Sequence, residues 1–142
     1  MRLLRRATLV LPALAMLALA TTACSQKADS KATFAGKWDW SQGGEELTLT
    51  LEQDGSHLRG WHSAIGQGGA KADEVSRDQP PSISGDVQGV TANVKFTSGY
   101  PDSKGGGRAR LTLQDEFLIW QILESDGEHY LPRSAKLTRE TK

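Results

Sequence analysis

The chain has 142 residues, with 17 basic and 17 acidic side chains, three histidines and one cysteine. This balance argues against nucleic acid as a partner, since nucleic-acid binding calls for basic patches. The lone cysteine excludes an intramolecular disulfide, and the length suits one compact domain after an N-terminal leader.

The first 23 residues have the pattern of an export signal. Met1–Arg6 is basic, Ala7–Ala20 is almost wholly apolar, and small residues lead to Cys24, as in secretory signal peptides. The apolar run falls short of the roughly 20 residues that span a bilayer, and it contains Pro12. We therefore predict a cleaved signal peptide over residues 1–23 rather than a transmembrane helix.

The segment ending at Cys24 resembles the lipobox of bacterial lipoproteins. In that family the cysteine thiol receives a diacylglycerol, the signal is cut before it, and the new amine is acylated. The resemblance implies that Cys24 is the lipidated first residue of the mature chain, with no cofactor beyond this covalent lipid. Thr21 stands where the family prefers leucine. Ser25, in place of aspartate, implies the periplasmic side of the outer membrane.

Removal of the signal changes the charge. Arg2, Arg5 and Arg6 precede Cys24 and no acidic residue does, so the mature chain carries a net charge of about −3. The residues from Ser25 to Thr33 are small and polar, which is typical of a flexible tether. We predict that residues 24–33 hold the domain to the membrane through the lipid, with a reach on the order of 30 Å.

From Phe34 to Lys142 the sequence alternates with period two and predicts a single all-β domain. The Asp54-Gly55 pair is a strong hairpin signal, and long loops are predicted over Gly66–Pro81 and Ser98–Gly106. Short strands joined by tight turns indicate a small antiparallel eight-stranded up-and-down barrel, with a β-sandwich as the alternative. The predicted strands cover about residues 34–40, 47–52, 58–65, 83–87, 90–96, 109–113, 117–123 and 130–138.

The start of the first predicted strand, Gly36-Lys37-Trp38, resembles the Gly-x-Trp that opens lipocalin-like and avidin-like barrels. In those folds an arginine from a late strand packs across the tryptophan. The resemblance implies this role for Arg133 or Arg139, and it implies no ligand.

No catalytic or metal-binding set is recognisable. His57 and His129 lie beside turns, where we expect them to face water, whereas His62 lies within the third strand as a core histidine or a binding residue. Their spacing does not suit zinc, the acids show no facing pair of the glycosidase kind, and no nucleophile elbow is present. We predict a protein that is not an enzyme, without catalytic or metal-binding residues.

The binding candidates are Trp61, His62 and Tyr100. If Leu58 and Gly60 point inward with His62, Trp61 points outward and is a candidate interface anchor; the alternative is a buried Trp61. Tyr100 lies on a long loop, where binding residues concentrate; the alternative is that it closes one barrel end.

These features predict a lipid-anchored periplasmic protein that binds a protein partner, as an inhibitor or immunity factor against a cell-wall-degrading enzyme. Bacterial inhibitors of c-type lysozyme are similar: they are small lipid-anchored barrels that insert a Ser-Gly-bearing loop into the enzyme, and Ser98-Gly99 resembles that loop. One alternative is a lipocalin-like carrier of a small apolar ligand, although the large inward residues, such as Trp38 and Trp120, would fill its cavity. Another is a passive structural lipoprotein of the envelope.

Overall fold

The computed structural model describes residues 32–141, so the predicted signal peptide, Cys24 and all but the last residues of the tether lie outside the described range. This described part of the chain contains nine strands and one short 3-10 turn, Gln67–Gly69. In chain order the strands are β1 (Gly36–Gln42), β2 (Glu45–Asp54), β3 (His57–Gly66), β4 (Lys71–Glu74), β5 (Ile83–Gln88), β6 (Thr91–Thr97), β7 (Gly106–Gln114), β8 (Phe117–Asp126) and β9 (Ser134–Arg139). Within residues 32–141 no helix has both the length and the hydropathy needed to cross a membrane.

The sheet closes on itself. Antiparallel pairing runs in the order β2, β1, β9, β8, β7, β6, β5 and β3, and a further β2–β3 ladder completes the ring. Eight strands therefore form a closed barrel, and β4 is an additional strand. This confirms the predicted barrel and excludes the sandwich.

The additional strand β4 lies in line with β5 along one edge of β3. That edge pairs with β5 through His57–Gly60 and with β4 through Ser63–Gly66. Between them residues 75–82, which we name the excursion segment, leave the barrel wall and return. The prediction of one loop over Gly66–Pro81 was wrong for β4, because Lys-Ala-Asp-Glu carries no apolar alternation.

The last strand also differs from its prediction. It begins at Ser134 rather than Tyr130, because Pro132 has no backbone N–H to donate to a ladder. Residues 130–133 instead run across the end of the barrel, where the Pro132 carbonyl accepts a hydrogen bond from Trp120 Nε1 at 2.9 Å.

Large side chains fill the interior of the barrel. Phe96 and Trp120 meet edge to face with ring centroids 5.6 Å apart, and Trp40 packs against the core from one end. The buried core lies between Phe34 and Leu137, so the barrel has a complete core of its own. Its largest apolar members are Phe34, Trp38, Leu47, Leu49, Leu51, Leu58, Ile83, Phe96, Leu111, Leu118, Trp120 and Leu137.

The strand directions give the barrel two distinct ends. The tether end carries the tight turns after β2, β5 and β7, together with Phe34, where the chain enters the barrel. The loop end carries the connections after β1, β3, β6 and β8, including residues 98–105 and 127–133.

An arginine closes the tether end. Its guanidinium carbon, in Arg139, lies 4.1 Å from the Trp38 ring centroid, and the same group donates hydrogen bonds to the carbonyls of Thr33, at 2.7 Å, and Ala35. Trp38 Nε1 donates to the Phe34 carbonyl at 2.9 Å. Of the two arginines considered from the sequence, the structure places Arg139 on the tryptophan.

Candidate binding site at the loop end

The loop end is organised around one buried carboxylate, Asp73 of β4. Its Oδ1 accepts hydrogen bonds from His62 Nε2 at 3.0 Å and from the Gly99 N–H at 2.6 Å. Its Oδ2 accepts from Ser98 Oγ at 2.8 Å and from the Tyr130 N–H at 2.9 Å. Four donors thus fill the acceptor sites of a side chain that is fully buried. This one carboxylate connects β3 and β4 to the loops formed by residues 98–105 and 127–133.

The donors around Asp73 decide its charge. Burial by itself raises the pKa of this carboxyl, because it disfavours the charged form. The hydrogen bonds from His62, the Tyr130 N–H, Ser98 and the Gly99 N–H outweigh burial and lower the pKa to about 2. Asp73 is therefore an ionised acceptor at neutral pH.

His62 is the second buried member of this network. Its Nδ1 lies 2.8 Å from Ser82 Oγ, and Ser82 stands just before β5. Because ionised Asp73 can only accept, Nε2 carries the hydrogen of the His62–Asp73 contact. The reading of His62 as a hydrogen-bonded core histidine is confirmed, since 2% of the residue is exposed.

Ser82, His62 and Asp73 contain the three groups of a serine-hydrolase triad, but their arrangement suits a structural role. The serine is 4% exposed and the histidine and aspartate side chains are fully buried, whereas a nucleophile must reach its substrate. The nearby backbone N–H groups of Gly99 and Tyr130 point at Asp73 and not at a position for an oxyanion. The three side chains instead hold the gap between β4 and β5 closed.

A partly exposed cluster lies above this network, formed by Lys71, Tyr100, Glu128 and Tyr130, and we name it the loop-end cluster. The two tyrosine rings meet edge to face with centroids 4.8 Å apart. Lys71 Nζ donates to Tyr100 Oη at 2.9 Å and lies 5.2 and 5.8 Å from the centroids of the Tyr100 and Tyr130 rings. Tyr130 Oη donates to the Glu128 carboxylate. A cation, two aromatic faces and a carboxylate thus share one surface.

Hydrogen bonds shift two pKa values within this cluster. The bond to Tyr100 raises the pKa of Lys71, and the bond to Glu128, followed by burial, raises the pKa of Tyr130. Lys71 is therefore charged and Tyr130 neutral throughout the physiological range.

The buried network fixes the position of Tyr100. Ser98 Oγ donates to Asp73 and accepts from the Tyr100 N–H at 3.1 Å. Gly99 packs so closely on β4 that a Cβ there would collide with the Glu74 carbonyl. The Ser98 N–H donates to the Gly105 carbonyl at 2.8 Å, which closes the loop. The predicted binding residue Tyr100 is thus a half-buried, pre-positioned part of the surface.

Trp61 lies outside the barrel wall, as the inward Leu58, Gly60 and His62 require, but it is not free. The excursion segment covers it, with the Arg77 guanidinium 5.2 Å from its ring centroid. Trp61 Nε1 donates to the Gln79 carbonyl at 2.9 Å, and 8% of the residue is exposed. Trp61 is thus buried, which is the second of the two alternatives considered from the sequence. It belongs to the contact with the excursion segment and not to the surface that contains Tyr100.

The other two histidines differ from one another. His57 is exposed beside its turn, as predicted, and lies 3.2 Å from Asp86. His129 was predicted to face water, and this was wrong. Its ring packs edge to face on Phe96 with centroids 5.3 Å apart. Its Nδ1 is buried and has no hydrogen-bond partner among residues 32–141, and burial lowers the pKa of His129. The turn residues Asp126 and Gly127 end β8, and the chain then folds inward over the core.

Comparisons with protein-family models, with curated proteins and with solved structures each found no match for this chain. Among residues 32–141 no group of three or more histidine, cysteine, aspartate or glutamate side chains is placed to hold a metal ion. The site is therefore described by its own geometry.

The most important residue of the site, Asp73, was not recognised from the sequence. Its signal is weak because a single inward residue in a four-residue strand gives no periodicity. Tyr130 was assigned to a strand, although its backbone N–H in fact ties the last loop to Asp73.

Proposed function

We propose that this chain is a lipid-anchored protein of the bacterial envelope that binds a protein partner through the loop-end cluster. The carrying observation is that the chain enters the barrel at Phe34, whereas Lys71, Tyr100 and Tyr130 lie at the opposite end. An anchor at Cys24 on the periplasmic side of the outer membrane would be connected to the barrel at the end opposite this surface. Tyrosine is among the residues that most often dominate binding energy at interfaces.

Rigidity supports the same role. Asp73 holds β3, β4 and the loops of residues 98–105 and 127–133 in one arrangement. The surface therefore loses little conformational entropy when a partner binds. The filled interior favours this proposal over a carrier of a small apolar ligand. The burial of Ser82, His62 and Asp73 favours a protein that is not an enzyme.

For the partner we propose a cell-wall-degrading enzyme, with this chain as its inhibitor or immunity factor. Ser98 and Gly99 are bonded to buried Asp73, whereas Pro101, Asp102 and Lys104 are the exposed residues of this loop. Lys104 is exposed there and Lys71 lies in the adjoining cluster. Cations at the tip of a rigid projection complement the paired carboxylates of a glycosidase cleft.

Inhibition of wall hydrolysis tests this function. A soluble chain of residues 25–142 is expected to slow the clearing of a peptidoglycan suspension by a wall-degrading enzyme, with a panel of lysozymes and amidases as probes. Tyr100→Ala and Tyr130→Ala should each weaken the inhibition by about 1 kcal/mol, or roughly fivefold. Phe117→Ala is the matched control, because Lys136 lies 3.8 Å from that ring centroid at the tether end. Absence of inhibition across the panel, or equal losses in all three variants, would contradict the proposal.

The anchor has its own test. Mass spectrometry of the N-terminal peptide from the membrane fraction is expected to show a chain that begins at Cys24 with a diacylglycerol thioether. Cys24→Ser should release the protein from the membrane. An unmodified N-terminus recovered from the cytosol would refute the anchor and leave the inhibition result unaffected.

A further inference from the structure

A second surface of the barrel, far from the loop-end cluster, has the composition of a ligand site. It is a groove of about 810 Å³ on the outer face of β5, β6 and β7, bounded by β3 and β8. Its volume lies within the range of about 300–1,000 Å³ that is usual for small-molecule sites. The groove-lining side chains used below are Ser84, Asp86, Asn93, Lys95, Arg110 and Leu123.

The charges of this groove break a rule of sheet pairing. Lys95 and Arg108 are direct cross-strand partners of β6 and β7, and like charges directly opposite one another destabilise a sheet. Arg110 lies two residues along the same face and adds a third cation. A bound anion would relieve the repulsion between neighbouring cations in such a groove.

Two of these cations have no acidic partner among the described residues. Arg108 donates two hydrogen bonds to Glu124, at 2.6 and 2.8 Å, which neutralises it. Arg110 has only a long contact of 3.4 Å, to Asn93 Oδ1, and Lys95 forms no ion pair within residues 32–141. The groove also contains one acid, Asp86, which lies 3.2 Å from His57. The two cations without an ion pair, Lys95 and Arg110, outnumber this acid, so the groove keeps a positive charge that favours an anion.

One wall of the groove is apolar. The pairing of β7 with β8 shifts by one residue at this point. Arg108 pairs with Glu124, whereas the next residue, Ala109, pairs with Ile122, so Leu123 is left without a partner on β7. Leu123 is the extra residue of this bulge and is 43% exposed. Bulges re-aim side chains and occur next to functional sites, and this one turns an apolar side chain outward beside two free cations.

We propose that this groove binds a small organic anion of sugar-acid type. Its phosphate or carboxylate bridges Lys95 and Arg110, its hydroxyl groups bond to Asn93 and Ser84, and its apolar face lies on Leu123. Both kinds of oxyanion accept charge-assisted hydrogen bonds from lysine and arginine, so the shared chemistry is an oxyanion on a hydroxylated ring.

Amide chemical-shift titration of the soluble chain of residues 25–142 tests the groove. The probes are glucose 6-phosphate, glucuronate, glucose and inorganic phosphate, each raised to about 20 mM, which detects dissociation constants in the millimolar range. We expect saturable shifts around Asn93, Lys95, Arg110 and Leu123 with at least one sugar acid, and at least about tenfold weaker binding of glucose and inorganic phosphate. Lack of saturable shifts at these residues with both sugar acids overturns the proposal.

Matched variants separate a built site from general charge attraction. Lys95→Gln and Arg110→Gln are each expected to weaken sugar-acid binding by about tenfold or more, whereas Lys136→Gln, which removes the same charge from β9, should leave it unchanged. Leu123→Ser should weaken sugar-acid binding more than phosphate binding. An equal loss in Lys136→Gln overturns the proposal, and the amide spectra themselves report whether each variant is folded.

Discussion

Asp73 and Tyr130 are 57 residues apart in the chain, yet Asp73 Oδ2 accepts a hydrogen bond from the Tyr130 backbone N–H at 2.9 Å. The same oxygen accepts from Ser98, so one atom joins β4 to the loops that follow β6 and β8. A loop that lacks helix or strand pairing is ordinarily mobile. Here the two loops share one buried acceptor and are held together.

Replacement of Asp73 by asparagine tests the importance of this acceptor. The amide nitrogen of Asp73→Asn would face a donor, and four charge-assisted bonds would be lost or weakened. We expect the free energy of unfolding to fall by about 3 kcal/mol, measured by urea denaturation at pH 7. Asp102→Asn is the control, because Asp102 is exposed and its φ of 62° suits asparagine. A loss below about 1 kcal/mol for Asp73→Asn would contradict the account.

The same carboxyl predicts how stability depends on pH. Its pKa is about 2 in the folded chain, against an ordinary value of 3.8 for an aspartate side chain. A lowered pKa means that Asp73 stabilises the fold fully above pH 3.8, and that this contribution is lost as the pH falls through 3.8 toward 2. The loss is about 2 kcal/mol at 1.36 kcal/mol for each unit.

Urea denaturation at a series of pH values from 6 to 2 measures this effect by comparison. The parent chain should lose about 2 kcal/mol more than Asp73→Asn over the acid limb. Parallel curves for the two proteins would contradict a pKa of about 2 for Asp73 in the folded chain.

Because the excursion segment covers Trp61, we expect a substitution there to lower the stability of the fold without changing partner binding. Trp61→Phe keeps an aromatic ring under Arg77 and removes the hydrogen bond to the Gln79 carbonyl. We expect a loss of about 1 kcal/mol in the free energy of unfolding and unchanged inhibition in the peptidoglycan assay. Reduced inhibition with unchanged stability would mean that the excursion segment opens and Trp61 contacts the partner.

The tether end depends on Arg139. Arg139→Gln removes the cation from the Trp38 ring and its guanidinium bonds to Thr33 and Ala35, and it should lower the free energy of unfolding by about 1 kcal/mol or more. Arg133→Gln changes the same charge on an exposed residue at the loop end and should have little effect. Equal losses in thermal or urea denaturation would contradict the assignment of this role to Arg139 alone.

The strands that carry apolar alternation were predicted well from the sequence. β2 and β6 alternate apolar residues with polar ones, and burial of one face makes such strands recognisable. β8 begins instead with a continuous apolar run, Phe117–Trp120, which also indicates a strand when turn signals bound it. Sequential hairpins such as the one at Asp54-Gly55 then lead to a closed barrel. The interior positions of Trp38, Phe96 and Trp120 followed from the same pattern.

The polar part of the fold could not be predicted in this way. Asp73 is buried because four donors from distant segments converge on it. A local sequence pattern does not predict such a convergence. Trp61 was ambiguous because a segment outside the barrel covers it. His129 was misassigned because the segment after its turn folds over the core, where distant partners hold it: the Phe96 ring packs on His129, and Asp73 accepts from the Tyr130 N–H. In each case the deciding partner is far away in the sequence.

Site-specific photo-crosslinking in living cells tests most directly whether the loop end is the binding surface. A benzophenone amino acid is placed at Asp102, which is exposed at the loop end, or at Glu116, which is exposed in the turn after β7 at the tether end. The account predicts a discrete protein adduct from position 102, reduced by Tyr130→Ala, and none from position 116. An adduct from position 116 alone, or equal adducts from both positions, would contradict it.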